Sequence, residues 1–143
     1  MIAKLWILSG ESQRTTKKVL YKISDPTIRF WFSFYSPHRS TWHTYTSGQK
    51  KNFLIQHAGT VFEDFVRTRY FNSGRYWEKD VEFDMLFESK KKLFVCEVKF
   101  KDLNKQEQAR IMYGLIQKWH KCKLSKKYKN VEFVVMDKKL LNW

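Results

Sequence analysis

Asp84, Glu97 and Lys99 are the residues of this chain whose types and spacing suit chemistry, because two carboxylates and an ammonium brought together can hold a divalent cation against a phosphate. They fall within residues 81–101, two alternating runs separated by a basic turn, and this pattern predicts a β-hairpin. Val81, Phe83, Met85 and Phe87 share one face of the first strand, and Phe94, Cys96, Val98 and Phe100 share one face of the second. Pairing Phe87 with Phe94 places all eight on a single face, since a one-residue slip would turn one apolar set toward the polar side of its neighbour. The connection is then 89–92, a length that hairpins use. This register sets Asp84 across from Glu97 and Glu82 across from Lys99. Directly opposed Cβ atoms stand roughly 4.5–5.5 Å apart, and like charges there cost a few tenths to about 1 kcal/mol. A divalent cation reverses that sign, and Mg²⁺ favours one or two carboxylates plus waters and phosphate oxygens. The plain alternative is a solvated polar face on a half-buried sheet.

The elements that must position these residues are legible on either side. Residues 53–71 carry a helical period, with Ala58, Val61, Phe62, Phe65 and Val66 as the stripe and Glu63 and Asp64 beside it. Asn72 and Gly74 end that helix, and 75–79 is a short strand leading into the hairpin. After the hairpin, Asn104 and Glu107 have the spacing of a capping box. A helix follows over 105–122, its stripe Ala109, Met112, Leu115, Ile116 and Trp119. Gln106, Gln108 and Arg110 lie in its first turns, where they reach toward a phosphate or simply solubilise the surface. Residues 121–129 read as a basic loop, and 131–136 as a last strand whose near-continuous apolar character predicts burial on both faces. Upstream, 5–8 and 19–23 flank a polar stretch containing Arg14, Lys17 and Lys18, which predicts a second hairpin with a basic tip. Ser24 or Asp25 can cap a helix over 27–36, with Pro26 suited to its first turn. It is apolar nearly all round and so expected to be buried. Residues 38–52 read as a polar basic loop.

At 143 residues the chain fits one domain, long enough to bury about two thirds of its unfolded surface. Of the residues, 17% are aromatic and spread along the whole length, which argues for a packed core and against disorder. The formal net charge is +14. It divides into +7 for residues 1–52, zero for 53–103 and +7 for 104–143, an arrangement that suits a polyanion gripped on both sides of an acidic centre. Cys96 and Cys122 argue for a reducing compartment, and no Cys or His has zinc-ligand spacing. The apolar run 5–8 is too short for a membrane span or a signal segment, so a cytoplasmic location is expected. Neither a P-loop nor a nucleophile triad has its local motif.

The order helix with Glu63, strand, strand with Asp84, strand with Glu97-Val98-Lys99, helix, strand resembles the PD-(D/E)xK nuclease superfamily. Glu97-Val98-Lys99 matches the Glu-x-Lys of that motif, Asp84 its upstream acid and Glu63 its helical glutamate; Phe83 stands where the name residue is Pro. Tyr21 to Pro26, Arg29 to Phe32, Ser36 to Arg39, Gly59 to Phe65, Gly74 to Trp77 and the Asp84 and Glu97 segments are similar to the C-terminal domain of a group of archaeal and bacterial AAA-type ATPases. This chain lacks their ATPase, and its first hairpin then resembles the wing of a truncated winged helix.

The resemblance implies an α/β (α+β) fold with a restriction-endonuclease-like core. A mixed central sheet would be flanked by helices in the order α-β-β-β-α-β, with the core at 53–143 packed as one unit with the basic hairpin and aromatic helix of 1–52. It implies a Mg²⁺-dependent deoxyribonuclease, with Mn²⁺ as substitute. Asp84, Glu97 and the Val98 carbonyl would be ligands, Glu63 would serve a second ion or a metal-bound water, and Lys99 would be the catalytic lysine. Arg14, Lys17, Lys18, Arg75, Lys101, Gln108, Lys123, Lys126 and Lys127 would grip nucleic acid. A separately encoded AAA-type ATPase and a second copy of the chain are the further partners it suggests, and no membrane. An inactive nuclease-like module that binds nucleic acid or docks on the ATPase is the competing expectation, and an RNase would share the same site.

Overall fold

The computed structural model describes residues 2–4, 21–78 and 80–141. They form two compact units, one of 2–4 with 21–61 and one of 62–78 with 80–141.

In the first unit β1 (Ile2–Lys4) pairs antiparallel with β2 (Tyr21–Ile23), joining Ile2 to Ile23 and Lys4 to Tyr21. The expected first strand at 5–8 and the expected basic tip lie outside the described residues; the partner of β2 among the described residues is 2–4. Helix α1 (Pro26–Phe30) starts as read, with the Asp25 carboxylate accepting the Ile28 N–H at 2.9 Å and Pro26 at the first position. It continues as a π-helical turn over Trp31–Tyr35 and a 3₁₀ turn over Ser36–His38.

The expectation that this segment is buried is wrong. Ile28, Trp31 and Phe32 are 47, 49 and 58% exposed. Phe30, Phe34 and His38 pack against Phe53 and His57 at ring-centroid distances of 5.2–6.0 Å, and Tyr35 packs on Trp42 at 5.3 Å. The supposed loop at 38–52 is also corrected. Helix α2 runs over Ser47–Thr68, started by a reciprocal cap in which Thr46 Oγ1 accepts the Gln49 N–H and Gln49 Oε1 accepts the Thr46 N–H. Trp42 then stacks on Phe53 at 5.8 Å.

The second unit is a mixed α+β layer. Strands β3 (Gly74–Glu78), β4 (Val81–Ser89), β5 (Lys92–Val98) and β6 (Val131–Met136) form one sheet in that order. The first three are antiparallel, and β6 runs parallel to β5. The parallel pair requires a crossover, supplied by α3 (Lys105–Lys121) and the short α4 (Leu124–Lys127) within the segment expected to be a loop. The capping box forms as read: Asn104 Oδ1 accepts the Glu107 N–H at 2.9 Å and Glu107 Oε2 accepts the Asn104 N–H at 3.0 Å. Leu115 and Trp119 of α3 bury against Tyr76, Val81, Phe83, Leu86, Leu93 and Val95 on one face of the sheet. Phe62 and Val66, from the end of α2, bury against Met85, Cys96, Val98 and Met136. Each such side chain contributes about 1.5–3 kcal/mol of apolar burial.

The hairpin register is as predicted, with Phe87 facing Phe94 and their rings stacked at 4.7 Å. Three details differ. The strands extend to Ser89 and Lys92, leaving a two-residue turn in which Lys90 and Lys91 both have positive φ (50° and 61°). The eight apolar residues do not share a face: Val81 and Phe83 join the α3 side, while Met85, Phe87, Phe94 and Cys96 join the α2 side. The cause is a β-bulge. Gly74 pairs with Leu86 but Tyr76 pairs with Phe83, so Asp84 and Met85 of β4 together oppose Arg75 of β3. The ladder between β4 and β5 stops at Met85 and Cys96, one pair short of Asp84 and Glu97, and Glu82 pairs with Trp77 of β3 and not with Lys99. At the end of α2 the left-handed residue is Asn72 (φ 52°) and not Gly74, which starts β3. Strand β6 is an edge among the described residues and only half-buried, because on its outer side the described sheet has no further strand.

A side chain with a Cβ is penalised in the left-handed region, which Asn and Gly tolerate best in this turn. Replacing Lys90-Lys91 by Asn-Gly is therefore expected to stabilise the protein by about 1 kcal/mol, read as a higher midpoint in thermal unfolding by circular dichroism. A lowered midpoint would contradict the two-residue turn.

Candidate functional site

The bulge sets the geometry of the site. Where the ladder stops, the carboxylate of Asp84 takes over: its Oδ2 accepts the Val98 N–H at 2.8 Å. A side chain thus occupies the place of a backbone acceptor. Val98, read from the resemblance as offering its carbonyl, contributes its N–H to this bond.

Arg67, one turn after Glu63 on α2, anchors the bulge from the other side. Its Nη1 donates to the Asp84 carbonyl at 2.7 Å and lies 3.8 Å from Glu63 Oε2, while its Nη2 pairs with Asp64.

Glu97 is 8% exposed, and an ammonium stands at each of its oxygens. Lys99 Nζ donates to Oε1 at 2.6 Å and Lys118 Nζ, from α3, to Oε2 at 3.4 Å. Beyond Val98 the chain stays tied to β6 through the Lys99 N–H, which donates to the Met136 carbonyl at 2.8 Å. Asp137, 6% exposed at the end of β6, then fixes the link to α3 by accepting from the Leu103 N–H, Gln108 Nε2 and the Lys139 N–H at 3.4, 3.3 and 3.0 Å.

Electrostatically the four residues chosen from sequence act as one group. Burial, and then the Asp84 charge, push the Glu63 carboxyl up to about 7 against the pull of Arg67 and Arg75. Burial and the Glu97 charge raise Asp84, opposed by the Val98 N–H and by Lys99 and Lys118. Burial by itself would lower the Lys99 ammonium, but its hydrogen bond to Glu97 and the charges of Glu97, Asp84 and Glu63 outweigh that and raise it. The carboxylates are mutually repulsive and partly desolvated, an environment that a cation relieves.

Among the described residues no three His, Cys, Asp or Glu side chains converge to hold a metal by themselves. Two carboxylates at a break in the sheet fit the donor set of Mg²⁺, which keeps waters and takes phosphate oxygens.

The residues read as gripping nucleic acid divide. Arg14, Lys17 and Lys18 lie outside the described residues. Arg75 pairs with Glu82, Lys101 with Glu107, and Gln108 with Asp137, so each is engaged within the protein. Lys123 pairs with Glu78 through both its backbone N–H at 2.9 Å and its Nζ at 3.3 Å. Lys126 and Lys127 are exposed on α4, the latter over the Tyr128 ring. Sequence reasoning missed Arg67 and Lys118. The spacing of Arg67 at three and four residues from Asp64 and Glu63 was a usable signal; a lysine in the last turns of a helix carried none.

A family model described as archaeal and bacterial proteins of unknown function (DUF234) matches residues 31–111, more than half of the chain. The chain belongs to that family. The match contains Glu63, Arg67, Asp84, Glu97 and Lys99 and ends before Lys118. No curated protein and no solved structure matches the chain.

Glu63 binds a proton more readily folded than unfolded between its ordinary 4.5 and about 7. Its contribution to stability is therefore present at low pH and lost as pH rises through about 7. In EDTA, Glu63→Gln is expected to melt above the wild type at pH 8, the gap closing toward pH 5. Equal melting temperatures at both pH values would show that Glu63 is not in this environment.

Proposed function

We propose that this protein is a divalent-metal-dependent nuclease that hydrolyses phosphodiester bonds of DNA. The observation that carries the reading is the break in the β4–β5 ladder, at which Asp84, Glu97 and Lys99 are gathered. Asp84 and Glu97, with the Val98 carbonyl, would hold Mg²⁺, and Glu63 would reach a second ion or a bound water. When bound, the cation lowers the pKa of its water and neutralises charge on the phosphoryl oxygens. The chain's own residues do the rest. Lys99, kept protonated by three carboxylates, orients the attacking water and stabilises the pentacovalent phosphate as a fixed positive charge. Arg67 holds the Asp84 backbone so that the carboxylate keeps its aim. Exposed lysines such as Lys126 and Lys127, in a protein of formal charge +14, supply grip on phosphates that does not depend on sequence.

A second reading, a nuclease-like module that docks on a separately encoded ATPase, is favoured by one observation. Ile28, Trp31 and Phe32 expose adjacent apolar surface on one short segment, as protein-binding surfaces do. No helix among the described residues is long and apolar enough to cross a membrane.

Supercoiled plasmid incubated with Mg²⁺ or Mn²⁺ is expected to be nicked. EDTA should abolish the activity, and Asp84→Ala and Lys99→Ala should each reduce it by at least roughly a hundredfold. Nicking that survives both substitutions would sink the nuclease reading. DNA binding indifferent to EDTA, with no nicking, would favour an inactive module that binds nucleic acid.

A further inference from the structure

We infer that Lys118 is a second functional lysine of this site: it holds Glu97 while no cation is bound, and is displaced toward the substrate phosphate when a divalent cation takes that carboxylate. The inference rests on the reading of Asp84 and Glu97 as cation ligands. Lys118 comes from a different element than Lys99 and meets the opposite oxygen of the same carboxylate, at 3.4 Å against 2.6 Å. Its charge also reaches Asp84. Glu97 is thus a nearly buried carboxylate with an ammonium at each oxygen, and a metal ion that ligates it competes with these two charges.

The geometry selects which one leaves. Lys99 is joined to Glu97 by the shorter contact, and its backbone N–H is fixed to the Met136 carbonyl at 2.8 Å. The Lys118 contact is the longer of the two, while the two side chains are similarly exposed, 44% for Lys118 and 41% for Lys99. An ammonium freed beside two metal-bound carboxylates would be placed to meet the phosphate oxygens that the cation itself attracts. A surface lysine that merely packs along α3 would have no reason to oppose a metal.

The test is direct measurement of Mg²⁺ binding to the full chain by isothermal titration calorimetry, without DNA. Removing the competing charge in Lys118→Met is expected to tighten Mg²⁺ binding about eightfold, the factor that one ion pair at this distance in water supplies. Lys118→Arg should keep the wild-type affinity. Lys121→Met, which changes net charge equally from an exposed position one turn on, should not tighten binding.

Mg²⁺ binding that depends on Asp84 but is unchanged or weakened in Lys118→Met would overturn the role of Lys118 while leaving the metal site standing. Equal tightening in Lys121→Met would reduce the effect to net charge and overturn it too. If the wild type binds no Mg²⁺ but Lys118→Met does, the competition is supported. If neither binds, the metal reading and this inference fall together.

Discussion

One hydrogen bond carries the construction of this site: the Asp84 carboxylate accepting the Val98 N–H at the point where β4 and β5 stop pairing through their backbones. A buried N–H left without a partner costs about 1–3 kcal/mol, so strands cannot part in a core unless something replaces the lost acceptor. Asp84 supplies the replacement from its side chain, and Arg67 answers for the backbone by donating to the Asp84 carbonyl. With both groups satisfied, the sheet can open between two strands that remain in register over five pairs behind the opening. The bulge that makes this possible inserts one residue opposite Arg75, and its price appears in the burial pattern, where Val81 and Phe83 are handed to the α3 layer and Met85 to the α2 layer.

Opening the sheet puts acids where a core would otherwise be. Glu97 lies between two apolar strand neighbours, Cys96 and Val98, that are fully or almost fully buried, and an isolated carboxylate there would be neutralised or would destabilise the fold. Two lysines from different elements prevent that. Desolvated ion pairs of this kind rarely add net stability over apolar residues of similar size. The cluster of Glu63, Asp84, Glu97, Lys99, Lys118 and Arg67 is therefore poorly explained as a device for holding the fold together. The fold is held by the two apolar layers on either side of the sheet, neither of which needs these charges.

The order of elements and the pairing of Phe87 with Phe94 were legible because period-two alternation and the capping box at Asn104 are local signals. The bulge was not. Nothing in the alternation of Val81, Phe83, Met85 and Phe87 announces that one residue between them lacks a partner, and the strict pattern wrongly predicted a single shared face. Asp84 and Glu97 were nonetheless brought together, because a bulge shifts the pairing with β3 and leaves the Met85–Cys96 register on the other side intact. The aromatic segment failed for a different reason. An all-round apolar helix is buried when there is enough protein to bury it, and among the described residues its unit provides two short strands, the 3₁₀ turn of Trp42–Thr44 and part of one helix. Lys118 was invisible because its role depends on where a helix crosses a sheet, which no window of sequence encodes.

The choice between an enzyme and a binding module turns on what the Asp84 charge is for. An asparagine at that position would accept the same Val98 N–H through its amide oxygen and would spare the protein both the burial of a charge, the main reason that Asp84 and Glu63 are raised, and the repulsion that adds to it. A fold that only docks on a partner gains nothing from that repulsion. A site that must bind a cation does, because the unfavourable energy stored between the carboxylates is released when the cation arrives and adds to its affinity. The same logic applies to Lys99, whose ammonium would be equally well placed to neutralise Glu97 if it were bound as weakly as Lys118. It is instead fixed by strand pairing at its backbone and by the shorter contact at its side chain. Rigid placement of a positive charge beside repelling carboxylates is what phosphate chemistry requires of a protein, and it is the physical ground for reading this break in the sheet as an active site.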